Sequence, residues 1–314
     1  MVRNGALDAL HCGHVAVVDG DGTVLAGAGD PDAVIYPRSA LKPFQAAASL
    51  EAIAPAPPTD EVALMAASHT GSLTHQAVVL RVLDRAGLTP GALRCPHALP
   101  VDAAALRQRP EPTRLAHNCS GKHAGFLLSM QERGADVRHH LDIDAPVQRA
   151  VLHRVRDACA TPPHGPGVDG CGAPAWRLPV VALAHGFARL AQVRDDHELA
   201  QVAAAMRTHP ELVGGPGLVD TELMRCDRRV LAKRGAEGVL GIAVQRPPGA
   251  VGVAIKVSDG GARALGPIAA AVLQPLGIAV PAALARPEVL GGGQPHGALE
   301  PAAGLVEALS ALHG

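Results

Sequence analysis

Aromatic side chains are nearly absent from this chain: one Trp, one Tyr and three Phe among 314 residues. A core of ordinary size must therefore be filled by Ala, Val and Leu, a composition that points to GC-rich coding rather than to a function. Charge of either sign is also missing in excess, since 28 Lys and Arg stand against 29 Asp and Glu for a formal net charge of -1. With no basic run and no basic stripe interleaved with aromatics, the electrostatic footprint of nucleic-acid binding is lacking, and no nucleic-acid partner is expected. No stretch approaches the roughly 18 consecutive apolar residues of a membrane-spanning helix, so no membrane association is expected either. The segment Met1–Leu10 has no apolar run of the secretory kind, which gives a cytoplasmic expectation. Cys12, Cys95, Cys119, Cys159, Cys171 and Cys226 are widely spaced without a C-x-x-C pair, so they are read as reduced thiols. In that setting Asn118-Cys119-Ser120 is a glycosylation sequon in form only.

What is present describes a globular protein of one large domain or two lobes, with 48% hydrophobic and 18% charged residues. Val15–Asp19, the turn Gly20-Asp21-Gly22 and Thr23–Ala26 read as an N-terminal β-hairpin. From Pro43 to about Met224 the apolar residues return mainly at helical spacing, over Pro43–Ala54, Ser72–Ala86, Lys122–Glu132, Ala145–Cys159, Leu178–Ala191 and His197–Thr208. Strand patterns resume at Val230–Lys233, Gly238–Gln245 and Gly252–Val257, with Pro247-Pro248-Gly249 as a turn. Pro267–Gln274 and Ala302–His313 read as closing helices. The expected fold class is α+β, an antiparallel sheet of N- and C-terminal strands flanked by helices with a largely helical middle. The expected organisation is one catalytic unit of two lobes, residues 1–36 plus 228–314 and residues 37–227.

Chemistry begins at Arg38-Ser39-Ala40-Leu41-Lys42-Pro43. A serine hydroxyl is a weak nucleophile until a base takes its proton, and the i, i+3 spacing brings the Lys42 amine alongside Ser39. Pro43 disfavours a helical Lys42, so Ser39–Lys42 reads as a tight turn entering a helix. The plain alternative is a helix cap followed by a solvated lysine. Ala67-Ser68-His69-Thr70-Gly71 offers a second hydroxyl, with a helix cap again the plain alternative. Asn118-Cys119-Ser120-Gly121-Lys122-His123-Ala124-Gly125 and Asp169-Gly170-Cys171-Gly172 each put a thiol in a glycine-containing turn. Zinc favours tetrahedral sulfur and nitrogen ligands, and Cys119, Lys122 and Cys171 could supply three. His117 or His123 is the commoner kind of nitrogen donor, and two buried structural cysteines are the plain alternative.

In order and approximate spacing, R-S-A-L-K-P, A-S-H-T-G, N-C-S-G-K-H-A-G, D-G-C-G and A-K-R-G-A-E-G at Ala232–Gly238 resemble the asparaginase family typified by the inducible thermolabile Rhizobium enzyme. Thr208–Val213 resembles it too. The resemblance implies a fold like that of serine β-lactamases and serine glutaminases, two Ser-Lys pairs at Ser39/Lys42 and Ser68/Lys233, and zinc ligands Cys119, Lys122 and Cys171. It gives Arg38 and Asp169 supporting, substrate-binding roles, and it implies a homodimer. Cys12 stands where the family usually has an arginine, and Arg234 follows Lys233 where relatives vary; neither touches the matched catalytic set.

The implied reaction is hydrolysis of L-asparagine to aspartate and ammonia through an acyl-enzyme. Ser39 attacks, Lys42 takes its proton, and Ser68 with Lys233 relays it; a variant makes Ser68 the nucleophile. Zinc is expected to orient substrate rather than make the nucleophile. Competing readings are a serine glutaminase or β-lactamase-like amidohydrolase, a zinc-hydroxide hydrolase, and a non-catalytic asparagine- or metal-binding module. The cysteines other than Cys119 and Cys171 are expected only to pack.

Overall fold

A computed structural model of the chain describes residues 1–192, 196–246 and 249–313, with the His313 side chain left out. The chain folds as two compact units, Met1–Ala40 with Leu178–Gln192 and Glu222–Gly314, and Leu41–Arg177 with Val193–Thr221.

The first unit is built on a five-stranded antiparallel sheet in the order Val24–Ala28, Gly13–Asp19, Gly249–Val257, Val239–Arg246, Val230–Gly235. N- and C-terminal strands thus share one sheet, as the patterns imply. Val253 of the central strand pairs with Val17 on one side and Ile242 on the other, and all three are fully buried. The hairpin turn is drawn tight by the Asp19 carboxylate, which accepts from the amides of Asp21 and Thr23 at 3.0 and 2.9 Å. The helix Val180–Gln192 comes from the middle of the sequence and packs across the three inner strands. It can approach closely because the sheet has glycines beneath it. A Cβ at Gly252 would run into the Ala184 carbonyl oxygen, and one at Gly241 would enter the Phe187 ring. A second sheet joins Val2–Arg3 to Ala6–Leu7 and to the hairpin Glu288–Gly291/Gln294–Ala298.

The second unit is mainly helical. Its centre is the helix Lys42–Leu50, whose nine residues are all buried, against Ser120–Glu132, Pro146–Cys159 and His197–Thr208. Ala46, Ala47 and Ala48 make that crowding possible, and Phe44 supplies the bulk. Arg154 clasps three carboxylates, reaching Glu51 at 2.7 Å, Glu198 at 3.5 Å and Asp196.

The structure differs from the sequence reading in several places. Lys42 opens a helix rather than ending a turn, preceded by a 3-10 turn at Arg38–Leu41, because a proline in the first helical turn gives up no needed hydrogen bond. The helical middle also contains the strands His164–Val168 and Pro174–Pro179. Gly121 and Gly125 are not in a turn but on one helix face, where Cβ atoms would strike Leu64 and Met65. The Pro247-Pro248 part of the expected turn lies outside the described residues.

Candidate active site

Arg38 and Ser39 belong to the first unit. Arg38 has a left-handed backbone, φ 53°, a strain of about 1–3 kcal/mol for a residue with a Cβ. Ser39 follows it in the 3-10 turn and is 9% exposed. Lys233 lies on the strand Val230–Gly235 with no exposure, and its Nζ donates to the Arg234 carbonyl at 2.8 Å. Two residues on, a Cβ at Gly235 would strike the Pro37 carbonyl and lie 3.3 Å from the Ala40 nitrogen, so this strand end presses on the turn that carries Ser39.

The second unit holds the remaining predicted residues. Lys42 is 1% exposed, which rules out the solvated-lysine reading. Its Nζ donates to Ser68 Oγ at 3.0 Å, to the Asn118 carbonyl at 3.3 Å and to the Ala67 carbonyl. Burial pulls its pKa below the usual amine range, against the opposing pull of Cys119. Ser68 is no helix cap: Ser72 caps the following helix, and Ser68 sits in a buried loop whose amide donates to the Val213 carbonyl at 2.8 Å.

His69, beside it, is locked at both nitrogens. Nδ1 accepts from the Gly71 amide at 3.1 Å, so Nε2 carries the proton and donates to Ser120 Oγ at 3.0 Å, and the Ser120 hydroxyl in turn donates to the Leu115 carbonyl at 2.9 Å. The Ser68 loop is thereby tied to the first turn of the helix that carries Lys122. The bare pattern Ser68-His69 pointed to this loop but gave the histidine no task, and the Asn118 carbonyl was invisible because a backbone acceptor leaves no mark in sequence.

Cys119, Lys122 and Cys171 do come together. Lys122 Nζ is 3.1 Å from Cys171 Sγ and 5.5 Å from the centre of the Phe126 ring. A hydrogen bond from Cys119, helped by Lys122 and His123, holds Cys171 far below the usual thiol pKa despite burial. Cys119 is raised instead, by that same bond and by burial, and so keeps its proton. Burial would lower Lys122, but the charge and hydrogen bond of the Cys171 sulfur outweigh it and the amine is raised. The turn presenting Cys171 is shaped by Asp169, whose carboxylate accepts from the Gly170 amide at 2.8 Å while Gly172 takes φ 86°. His117 accepts from the Cys119 amide at 3.0 Å through Nδ1, which engages one of its two ring nitrogens.

Among the described residues, no three His, Cys, Asp or Glu side chains form a metal-binding group, so an ion here would depend on Lys122. Two sulfurs and an amine suit zinc in donor chemistry. Beside them His123 is fully buried, hydrogen-bonds His140 at 3.3 Å through Nδ1, and has at Nε2 no hydrogen bond of ordinary geometry among the described residues. Burial lowers both rings to about 4.

The family that this chain matches falls in the class of amidohydrolase enzymes. The chain belongs to the L-asparaginase II family, whose model matches residues 1–301. No curated protein matches the chain. Among solved structures it is similar to Mglu in its glutamate form, at 15% identity over 79% of this chain and 55% of that one, with a TM-score of 0.43. A Bacillus glutaminase crystallised in the presence of 4.3 M NaCl shows 14% identity over 79% of this chain and 83% of that one, with a TM-score of 0.34. The chain spans little more than half the length of the Mglu chain in that glutamate form. No helix among the described residues is long and apolar enough to cross a membrane.

Proposed function

We propose that this protein is an L-asparaginase, hydrolysing L-asparagine to L-aspartate and ammonia through a serine acyl-enzyme. The observation that carries the reading is the buried hydrogen bond of 3.0 Å between Lys42 Nζ and Ser68 Oγ, set in a chain of the L-asparaginase II family. Ser39 attacks the side-chain carboxamide carbon, and Lys42, three residues on, takes the hydroxyl proton in its neutral form, which burial favours. Ser68, hydrogen-bonded to the same amine, passes a proton to the departing ammonia. Water then cleaves the ester and aspartate leaves. Lys233, Arg38 and Asp169 enter through the family resemblance, the first as second amine and the others as substrate contacts.

The Lys42–Ser68 bond also favours a second reading, in which Ser68 is the nucleophile and Ser39 assists. Cys119, Lys122 and Cys171 would hold zinc, once Cys119 and Lys122 give up their protons, and the ion would supply fixed positive charge for orienting substrate. The proposed setting is the cytoplasm, which six free cysteines suit; the homodimer enters through the family resemblance alone, and sedimentation reads the assembly.

The test is ammonia release from L-asparagine, with L-glutamine and a β-lactam alongside, by wild type, Ser39→Ala and Ser68→Ala, each with its zinc content. Release abolished in Ser39→Ala alone supports Ser39 as nucleophile, while near-normal release there with loss in Ser68→Ala moves the role to Ser68. Wild-type protein that releases no ammonia from asparagine overturns the asparaginase reading. A Ser39→Ala and Ser68→Ala pair that both keep full turnover overturns the serine mechanism.

A further inference from the structure

The first unit carries a half-open cavity of about 360 Å³ that none of the residues assigned to hydrolysis or metal lines. That volume is in the range of small-molecule sites. One wall is the sheet. His14 and Lys256 are direct partners across the antiparallel pair Gly13–Asp19/Gly249–Val257, so they stand on the same face, and both line the space. The opposite walls are apolar, from Pro267 and Ile268 of the helix Leu265–Leu273 and from Leu299, Leu305 and Ala308 of the C-terminal segment. Ala302, Gly304, Leu305 and Ala308 lie beyond residue 301, where the family match ends, so part of this wall falls outside the matched residues.

The polar wall is biased toward donors. His14 Nδ1 accepts from the Asp30 amide at 2.9 Å, which leaves the ring proton on Nε2. Lys256 Nζ donates to the Val257 carbonyl at 2.8 Å and to the Glu237 carbonyl, and an ammonium has a third proton to give. The acidic residue of the lining, Glu300, is already paired with Arg286 at 3.3 Å. An apolar space with two paired donors on one wall suits a short apolar chain ending in an acceptor of negative charge. We propose that this cavity binds an amphipathic monocarboxylate, its carboxylate at His14 and Lys256 and its tail against Ile268, Leu299 and Leu305. The site is independent of the amide-hydrolysis reading, and its occupancy can be measured whether or not the protein turns over asparagine.

The probe is octanoate, with octanol as the uncharged match. Calorimetry on the full chain is expected to show octanoate binding in the presence of saturating L-aspartate, with octanol and acetate at least about tenfold weaker because each lacks one half of the recognition. Lys256→Met should bring octanoate down to the affinity of octanol, and Ala308→Phe should fill the space and abolish both. Cys12 lines the cavity and is exposed, so octanoate should also slow its alkylation several-fold in wild-type protein, a readout that needs no variant. No octanoate binding, equal affinity for octanol, displacement by L-aspartate, or Cys12 alkylation at an unchanged rate would each overturn the proposal.

Discussion

Lys42 and Lys122 are both shut off from water, at 1% and 3% exposure, and they are driven in opposite directions. Around Lys42 the closest partners are neutral oxygens, and burial prevails over the opposing pull of the Cys119 sulfur, so the amine is pushed toward its uncharged form. Around Lys122 the partner is the Cys171 sulfur at 3.1 Å, and the charged form is held in place although burial opposes it. Depth alone therefore decides nothing about a buried amine; the charge of its nearest partner does. In the proposed reaction the first lysine would accept a proton, and the second would neutralise sulfur or exchange its proton for a metal.

The sharpest way to break this contrast is to remove each amine in turn. Lys42→Met is expected to lower ammonia release by about 10²–10⁴-fold, the usual worth of a general base, with zinc content unchanged when assayed on the same sample. Lys122→Met should show the reverse pattern at the metal. Zinc falls to background, and denaturant unfolding of metal-free protein shows a loss of about 3–5 kcal/mol, because the Cys171 charge is left buried without its partner. If both variants lose turnover and keep zinc alike, the two lysines do not divide the labour.

A smaller effect tests the tie between the two clusters. His69→Ala leaves Ser120 Oγ and the Gly71 amide without their shared ring, and unfolding should show a cost of about 1–3 kcal/mol. His69→Gln should recover part of it. The smallest effect sharpens what burial does unopposed. Cys95 has no exposure, and burial first, with Cys171 adding, raises its thiol from 9.0 to about 11. Folded protein then keeps a proton that the unfolded chain loses, so this contribution is full below pH 9 and fades as pH rises toward 11. Cys95→Ala should remove about 1 kcal/mol of the wild type's loss of stability between pH 8 and pH 10, read by denaturant unfolding at both.

Much of this was legible in the sequence where pattern and physics are local. The helix His197–Thr208 has the bounds its periodicity gives, and the N-terminal hairpin lies where Gly20-Asp21-Gly22 puts its turn. Legibility failed where the cause was distant. Val2–Arg3 pairs with Gly297–Ala298, across nearly the whole chain, and two-residue strands carry no period to read. The spacing of Cys119, Lys122 and Cys171 suggested a cluster, but the split of protons between the two thiols follows from a contact that no spacing encodes. The glycines of G-K-H-A-G read as a turn because glycine is commonest there, whereas Leu64 and Met65 on another helix are what require them.

A protein with so few rings has little bulk with which to fill space between a helix and a sheet. Here the gap itself is reduced: at Gly241 and Gly252 the helix Val180–Gln192 settles into the sheet surface instead of standing off on side chains. Interior density is reached by shortening distances rather than by enlarging residues, which leaves these two positions no room for drift. Even an added methyl group at either would act as a wedge, lifting the helix along its length and thinning the core on both flanks.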